Sequence, residues 1–292
     1  MKLYKYQGAG NDFLIADNRS GAIREADGVL YIKESEGQEE IYRIDDLCDR
    51  RYGVGADGLM LLDAAPEGFD FRMTYFNSDG SGGMMCGNGG RCIVAFAADC
   101  GIEAYEFIAA DGPHSAQILC SEANSKVVRL KMKDVVECTP FSSLTGPSFP
   151  SKGMFLDTGT RHYVRFVENL KEYDVVGEGR DIRWNAEELQ PVGANVNFVE
   201  PSDGVLNVRT YEKGVEDETF ACGTGIVASC VASYISGIEP SVKECERLRY
   251  DVQAKRDALA VDFVPSSQSG VAEDVWLTGP ATYVAQILVD ID

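Results

Sequence analysis

The chain spells one short pattern twice, Met85-Cys86-Gly87-Asn88-Gly89 and Ala221-Cys222-Gly223-Thr224-Gly225, with the two cysteines 136 residues apart. The same offset carries Thr74-Tyr75 onto Thr210-Tyr211 and Gly101-Ile102-Glu103 onto Gly237-Ile238-Glu239. Three matches at one offset, in one order, argue for internal duplication of a supersecondary unit. Each copy reads as a strand (Phe71 to Phe76, Leu206 to Tyr211), a polar loop, a cysteine and then a helix. Helical spacing follows both cysteines: Cys92, Phe96 and Cys100 with Ile93 and Ala97, then Ile226, Cys230 and Tyr234 with Val227, Val231 and Ile235. Gly101 and Gly237 supply the expected helix stops.

Each cysteine therefore sits at a helix N-terminus, where unpaired backbone N–H groups and the helix dipole favour an anion, a thiolate included. Gly87, Gly89, Gly223 and Gly225 let a ligand approach those amides closely, and a carboxylate is the natural small anion for such a place. Two such ends acting on one acidic substrate would set a thiol on either side of it. At 292 residues the chain is long enough for two core-forming domains, which fits the duplication.

The net charge of −20 is spread along the sequence, so nucleic acid and anionic membranes are poor partners. Nine cysteines at irregular spacings, no C-x-x-C and only two histidines argue against a disulfide framework or a zinc site. Reduced thiols in a cytoplasmic compartment fit better. The N-terminus shows no signal-peptide h-region, and no apolar run reaches spanning length. The seven cysteines outside the repeated motif read as small buried hydrophobes.

In order, the chain opens with a strand at Leu3 to Tyr6, a tight loop Gln7-Gly8-Ala9-Gly10-Asn11-Asp12-Phe13 and a strand to Ala16. Asn11 can offer a ligand both a donor and an acceptor. Residues 23–40 read as acidic and loop-like around a short strand Val29 to Ile32, or as a hairpin insertion. Ile44 to Arg51 reads as a short helix leading to Tyr52-Gly-Val-Gly-Ala-Asp57-Gly58 and the strand Leu59 to Leu62. Its counterpart in the second half is Val192-Gly-Ala-Asn195-Val-Asn197-Phe-Val199. Residues 104–133 alternate as hairpins around Asp111-Gly112 and Ala123-Asn124. Residues 138–150, rich in Pro, Ser and Gly, are the best linker candidate. Phe155 to Val164 again gives strand and glycine loop, and β-prone stretches follow at Ala258 to Val264, Val271 to Leu277 and Ala281 to Val289.

Gly8-Ala-Gly-Asn-Asp-Phe13, Arg51-Tyr-Gly-Val-Gly-Ala-Asp57, Phe76-Asn-Ser-Asp-Gly80, Cys86-Gly-Asn-Gly89, Gly193-Ala-Asn-Val196, Tyr211-Glu-Lys-Gly214 and Ala221-Cys-Gly-Thr-Gly225 together resemble the diaminopimelate epimerase family. The match runs in order from residue 3 to Leu277-Thr-Gly-Pro280. Proline racemases, which share that fold and chemistry, typically carry histidine after the first Cys-Gly, where this chain has Asn88. The resemblance implies an α/β (α+β) fold of two pseudo-symmetric domains, each a β-barrel-like sheet around a central helix, with substrate in the cleft between them. The final strand returns to the first domain, giving a first half of 1–138 plus 279–292 and a second of 139–278.

The implied activity is pyridoxal-independent conversion of LL-2,6-diaminopimelate to the meso form, serving lysine and peptidoglycan synthesis. Inverting a stereocentre removes a proton from one face and delivers one to the other, so Cys86 and Cys222 would alternate as thiolate base and thiol acid. Amides at Gly87, Asn88, Gly223 and Thr224 would hold the reacting carboxylate. By resemblance, Asn11, Asn77 and Asn195 line the pocket, Glu212 meets an ammonium group, Lys213 meets the distal carboxylate, and His162 and Glu212 tune the thiols. His114, outside any such context, reads as a surface or turn residue.

No cofactor or metal is required, the partner is a small diamino-dicarboxylate, and the resemblance suggests a homodimer. Three departures bear on distal-end selectivity: Lys213 where many relatives have arginine, Thr160 in Gly159-Thr-Arg-His162 where an amide side chain is expected, and Gly58 where glutamine is frequent. Two alternatives stay open: a same-fold racemase or epimerase of a proline- or hydroxyproline-like amino acid, or a non-catalytic amino-acid-binding protein whose two cysteines form a reversible disulfide.

Overall fold

The computed structural model describes residues 1–33, 39–141, 153–266 and 271–290. Two compact units result, Met1–Leu130 with Pro280–Asp292 and Lys131–Gly279. The sequence division assigned residues 131–138 to the first half. They pair instead within the second unit, where Met132 and Val135 donate backbone N–H groups to the carbonyls of Val275 and Ala272.

In the first unit Lys2–Gly8 pairs antiparallel with Asn11–Asn18, which runs parallel to Gly58–Asp63. That strand is antiparallel to Phe71–Asn77, itself parallel to Glu106–Ala109. Two hairpins continue to Gly112–Glu122 and Ser125–Lys131. Ser125–Lys131 pairs with Ala272–Leu288, which returns antiparallel to Lys2–Gly8 and closes a ring of eight strands.

The second unit repeats the alternation strand for strand. Gly153–Asp157 is antiparallel to Arg161–Phe166, and that strand is parallel to Asn195–Ser202. Val205–Glu212 follows antiparallel, Arg247–Gln253 parallel to it, and Ala258–Pro265 and Ala272–Leu288 antiparallel in turn. The duplication legible at three short sequence matches is thus a duplication of topology. The expected barrel-like sheet around a helix is what both units form.

Each unit encloses one helix, α2 (Gly87–Asp99) in the first and α4 (Gly223–Ile235) in the second; the other α-helices described are the short α1 (Ile44–Cys48) and α3 (Val175–Asn185). Every residue of α2 from Gly87 to Ala97 is buried, and so is α4 from Gly225 to Ser233. A helix apolar on all sides can be satisfied only inside a sheet that surrounds it. Both helices end in the same way. Gly101 (φ +83°) and Gly237 (φ +76°) take the left-handed conformation, donating to Ala98 and Tyr234, while Ile102 and Ile238 donate to Ala97 and Ser233. These are two Schellman motifs, satisfying carbonyls that the helix leaves open.

Several local expectations change. The inserted hairpin is there, Ile23–Ala26 against Val29–Lys33, but it is widened by Glu39–Arg43 into a separate three-stranded antiparallel sheet, with residues 34–38 outside the described ones. The α3 helix has no counterpart in the sequence reading, because Val175, Val176 and two glycines lower its propensity. Asp174 caps it by accepting from the Gly177 amide at 2.9 Å, and Val175 and Ile182 are buried. Val242–Glu244 and Arg247–Gln253, in a stretch rich in charged residues, form a hairpin. Of the linker candidate, Cys138–Phe141 is a strand against Gly153–Asp157, and residues 142–150 lie outside the described residues. The stretches read as 271–277 and 281–289 are one strand, Ala272–Leu288. It pairs with Ala258–Pro265 up to Thr278 and with Lys2–Gly8 from Thr282. Pro280, which has no N–H to give, falls in the gap between the two ladders.

Among the described residues no helix is long and apolar enough to cross a membrane. Only Cys48, Cys92 and Cys230 behave as buried hydrophobes; Cys100 and Cys138 are half-buried, while Cys120 and Cys245 are exposed. Helix-face spacing placed Cys92 and Cys230 rightly but also counted Cys100, which is the C-cap where the helix has already ended, and nothing in a strand's alternation says which face meets solvent.

Candidate active site

Cys86 and Cys222 each occupy the N-cap of the enclosed helix. Both have extended backbone (φ −101°, ψ 136° and φ −105°, ψ 111°), and their carbonyls accept from Gly90 at 2.7 Å and Ile226 at 2.8 Å. Neither N-cap makes the side-chain hydrogen bond that a serine or aspartate would make there. The first-turn amides are thus not capped by the cysteine, and Gly87, Asn88, Gly223 and Thr224 present them where an anion is favoured.

Around Cys86 the first unit builds a chain of amides and charges. Asn88, almost fully buried, donates to Asn11 Oδ1 at 2.6 Å. Asn11 in turn donates to Asp57 at 2.9 Å, and Asp57 pairs with Arg50 at 2.6 Å. Beneath Asn88 lies Arg91, with no exposed surface. Its guanidinium donates to Asn88 Oδ1 at 2.8 Å, to the Gly87 carbonyl at 3.2 Å and to the Pro280 carbonyl at 3.3 Å. Asn11 thus uses its donor and its acceptor internally, each with capacity for one further bond. Burial pushes the neighbouring Asp12 carboxyl up, but Arg50 and Lys5 outweigh it and hold it below the usual carboxylate range. Asn77, at the end of its strand, donates to Ser81 at 3.0 Å in the following turn.

Around Cys222 the second unit gathers hydroxyls and an imidazole. Thr224 Oγ1 lies 3.4 Å from Cys222 Sγ and 2.9 Å from His162 Nε2. Thr160 Oγ1 lies 2.9 Å from the same nitrogen and 3.1 Å from Thr224 Oγ1. Thr158 ties the loop to the helix by donating to the Thr224 carbonyl at 3.0 Å. His162 is fully enclosed, and burial lowers its pKa to about 3, so the ring is neutral. Asn195 donates to the Arg161 carbonyl at 3.0 Å and accepts from the Lys213 amide at 2.9 Å. It therefore stitches the loop before His162 to the turn after Glu212. Glu212 ends its strand half-buried, and the Lys213 side chain is exposed.

Two departures acquire a structural meaning. A Cβ at Gly58 would lie 2.5 Å from the Phe76 carbonyl oxygen, so the neighbouring strand leaves no room for a longer side chain there. Thr160 is not a gap left by a missing amide, since its hydroxyl is bonded to His162 and Thr224.

Sequence reasoning missed Arg91 and Asn197, both buried and both bonded to expected site residues. Asn197 was detectable in principle: it stands two residues after Asn195, on the same strand face. Arg91 carried no such signal, because an arginine within an apolar helix reads equally well as an exposed residue. His114, expected at the surface or in a turn, lies instead in the strand Gly112–Glu122, paired with Phe107 and 3.0 Å from Asp111, with its side chain only 9% exposed. Among the described residues no group of three or more His, Cys, Asp or Glu is arranged to hold a metal ion.

Residues 3–132 match the family model described as diaminopimelate epimerase. A diaminopimelate epimerase of Flavobacterium psychrophilum is 39% identical over 292 residues, covering 99% of this chain and 100% of that protein. The chain belongs to the diaminopimelate epimerase family. The family's protein from Chlorobaculum tepidum is also 39% identical, over 95% of this chain and 96% of its own. Among solved structures, a PhzF-family phenazine biosynthesis protein of Bacillus anthracis superposes with a TM-score of 0.68 at 15% identity, covering 100% of this chain and 99% of that one. A probable proline racemase of Agrobacterium radiobacter gives 0.65 at 14% identity over 100% and 93%. At such identities these two show a shared fold, which diaminopimelate epimerases have in common with proteins of other names.

Proposed function

We propose that this chain interconverts LL- and meso-2,6-diaminopimelate, with Cys86 and Cys222 as the alternating base and acid. The observation that carries the reading is the equivalent placement of the two cysteines, each at the N-cap of an enclosed helix in a duplicated unit. One thiolate takes the α-proton, leaving a carbanion conjugated with the substrate carboxylate; the other thiol delivers a proton to the opposite face. Amides of Gly87, Asn88, Gly223 and Thr224 hold that carboxylate and stabilise the charge that builds on it, which requires donors already oriented. Asn11, Asn77, Asn195, Glu212 and Lys213 are assigned to the rest of the substrate, and the residual donor and acceptor capacity of Asn11 and Asn195 suits that role. Such a route asks nothing of a cofactor or a metal.

The test is deuterium uptake from heavy water at the α-carbon of diaminopimelate, run beside proline and hydroxyproline. Solvent-derived deuterium appears in diaminopimelate, and Cys86→Ala and Cys222→Ala each lower turnover by about a thousandfold or more, the scale expected on losing a general acid or base. Exchange confined to the imino acids would overturn the assignment. Family membership favours diaminopimelate over those alternatives, and the exposed Lys213 is where selectivity for the distal carboxylate is open to change.

A further inference from the structure

We propose that Asn197 is a positioning residue for the reaction, fixing His162 as the Nε2–H tautomer so that the Thr160 and Thr224 hydroxyls present an O–H donor to the Cys222 sulfur. The proposal rests on the reading of Cys222 as one of the two acid/base thiols.

The polarity of the chain can be followed from its far end. Asn197 is completely buried. Its Nδ2 lies 3.3 Å from the Tyr163 carbonyl, which can only accept, and its Oδ1 lies 2.9 Å from Thr210 Oγ1, which can donate. The amide orientation is therefore set by its surroundings. That orientation aims the same NH2 group at His162 Nδ1, 3.0 Å away. Nδ1 must accept, so a neutral ring carries its proton on Nε2. An imidazolium would place an N–H against the amide's own N–H, and burial disfavours it further.

Nε2–H meets two hydroxyl oxygens, Thr160 Oγ1 and Thr224 Oγ1, both at 2.9 Å. If Thr224 accepts, its own hydrogen is directed away from the ring, and Cys222 Sγ is an acceptor 3.4 Å off. If Thr160 accepts, its hydrogen passes to Thr224 across 3.1 Å, with the same result at sulfur. An O–H donated to sulfur favours thiolate over thiol. The first turn of α4 allows no slack behind this line: a Cβ on Gly225 would come 2.3 Å from Asn197 Oδ1 and 3.2 Å from His162 Cε1. Gly225 is thus needed for the helix carrying Cys222 to rest directly on the pair that sets its polarity.

The chain has two histidines, so 15N-labelled imidazole signals report the tautomer directly, with His114→Asn giving the assignment. At neutral pH, wild-type His162 shows a protonated Nε2 and an unprotonated Nδ1. In Asn197→Asp the carboxylate demands a proton on Nδ1, the tautomer inverts, and the threonine hydrogen is drawn to Nε2 and away from sulfur. The expected kcat falls by about tenfold, the scale of one neutral hydrogen bond, with KM little changed. A wild-type ring protonated on Nδ1, or an inverted tautomer with unchanged kcat, overturns the proposal. The wild-type spectrum decides even if Asn197→Asp does not fold. It also decides if diaminopimelate is not turned over, so failure of the parent reading stays distinguishable from failure of this one.

Discussion

At the scale of single residues, His162 couples the candidate site to stability. Its folded pKa of about 3 lies far below the ~6.5 of an exposed imidazole, because burial opposes the charge. The unfolded chain therefore binds a proton that the folded chain refuses between those values. The stabilisation from keeping the ring neutral is fully present above about pH 6.5 and is lost as pH falls toward 3. Thermal melts of wild type and His162→Gln from pH 7 to pH 4.5 should show a shallower acid decline in the variant; parallel declines would contradict a neutral buried ring. The cysteines divide on the same principle. Burial pushes the Cys48 and Cys92 thiols up to about 12 and Cys230 well above its usual value, which makes them poor nucleophiles. Of the residues assigned to substrate, the motif cysteines and their glycines were legible in sequence, since helix N-termini have local signatures. The bonds that define Asn88, Asn195 and His162 were not, because their partners lie up to 77 residues away.

At the scale of elements, α2 and α4 are bounded by signals that act over five residues, so both were readable, and their ends make a clean test. Gly237→Ala forces a left-handed backbone on a residue with a Cβ and should cost about 1 kcal/mol. Urea titration should give a lower midpoint at unchanged slope, with kcat per folded molecule unaltered. The α3 helix is the opposite case. It survives weak propensity through the Asp174 cap and the burial of Val175 and Ile182. Asp174→Ala should therefore destabilise by about 1 kcal/mol, read in the same titration, and a neutral result would show that packing alone holds the helix.

At the scale of the molecule, the strand Ala272–Leu288 belongs to both ladders, pairing with Ala258–Pro265 in one unit and Lys2–Gly8 in the other. Disrupting either ladder removes an edge from the same strand. Cys92 and Cys230, one in each enclosed helix, give a probe for each unit. Thiol labelling followed by mass spectrometry should find both protected in the absence of urea and both exposed at one common midpoint. Exposed Cys120 and Cys245 should label without denaturant. Two separate midpoints would mean that the units unfold independently in spite of the shared strand.

The sequence by itself determined the duplication, the strand-loop-cysteine-helix order, both helix stops and the family, because these depend on residue type at short spacing or on matches along the whole length. The tertiary structure decided the rest. It paired Ile23–Ala26, Val29–Lys33 and Glu39–Arg43 into a separate small sheet, and joined two terminal stretches into one strand. It also decided which way the imidazole of His162 faces, through an asparagine 35 positions along the chain. Pairing register and hydrogen-bond polarity arise between segments remote in sequence, and no window of neighbouring residues contains both partners.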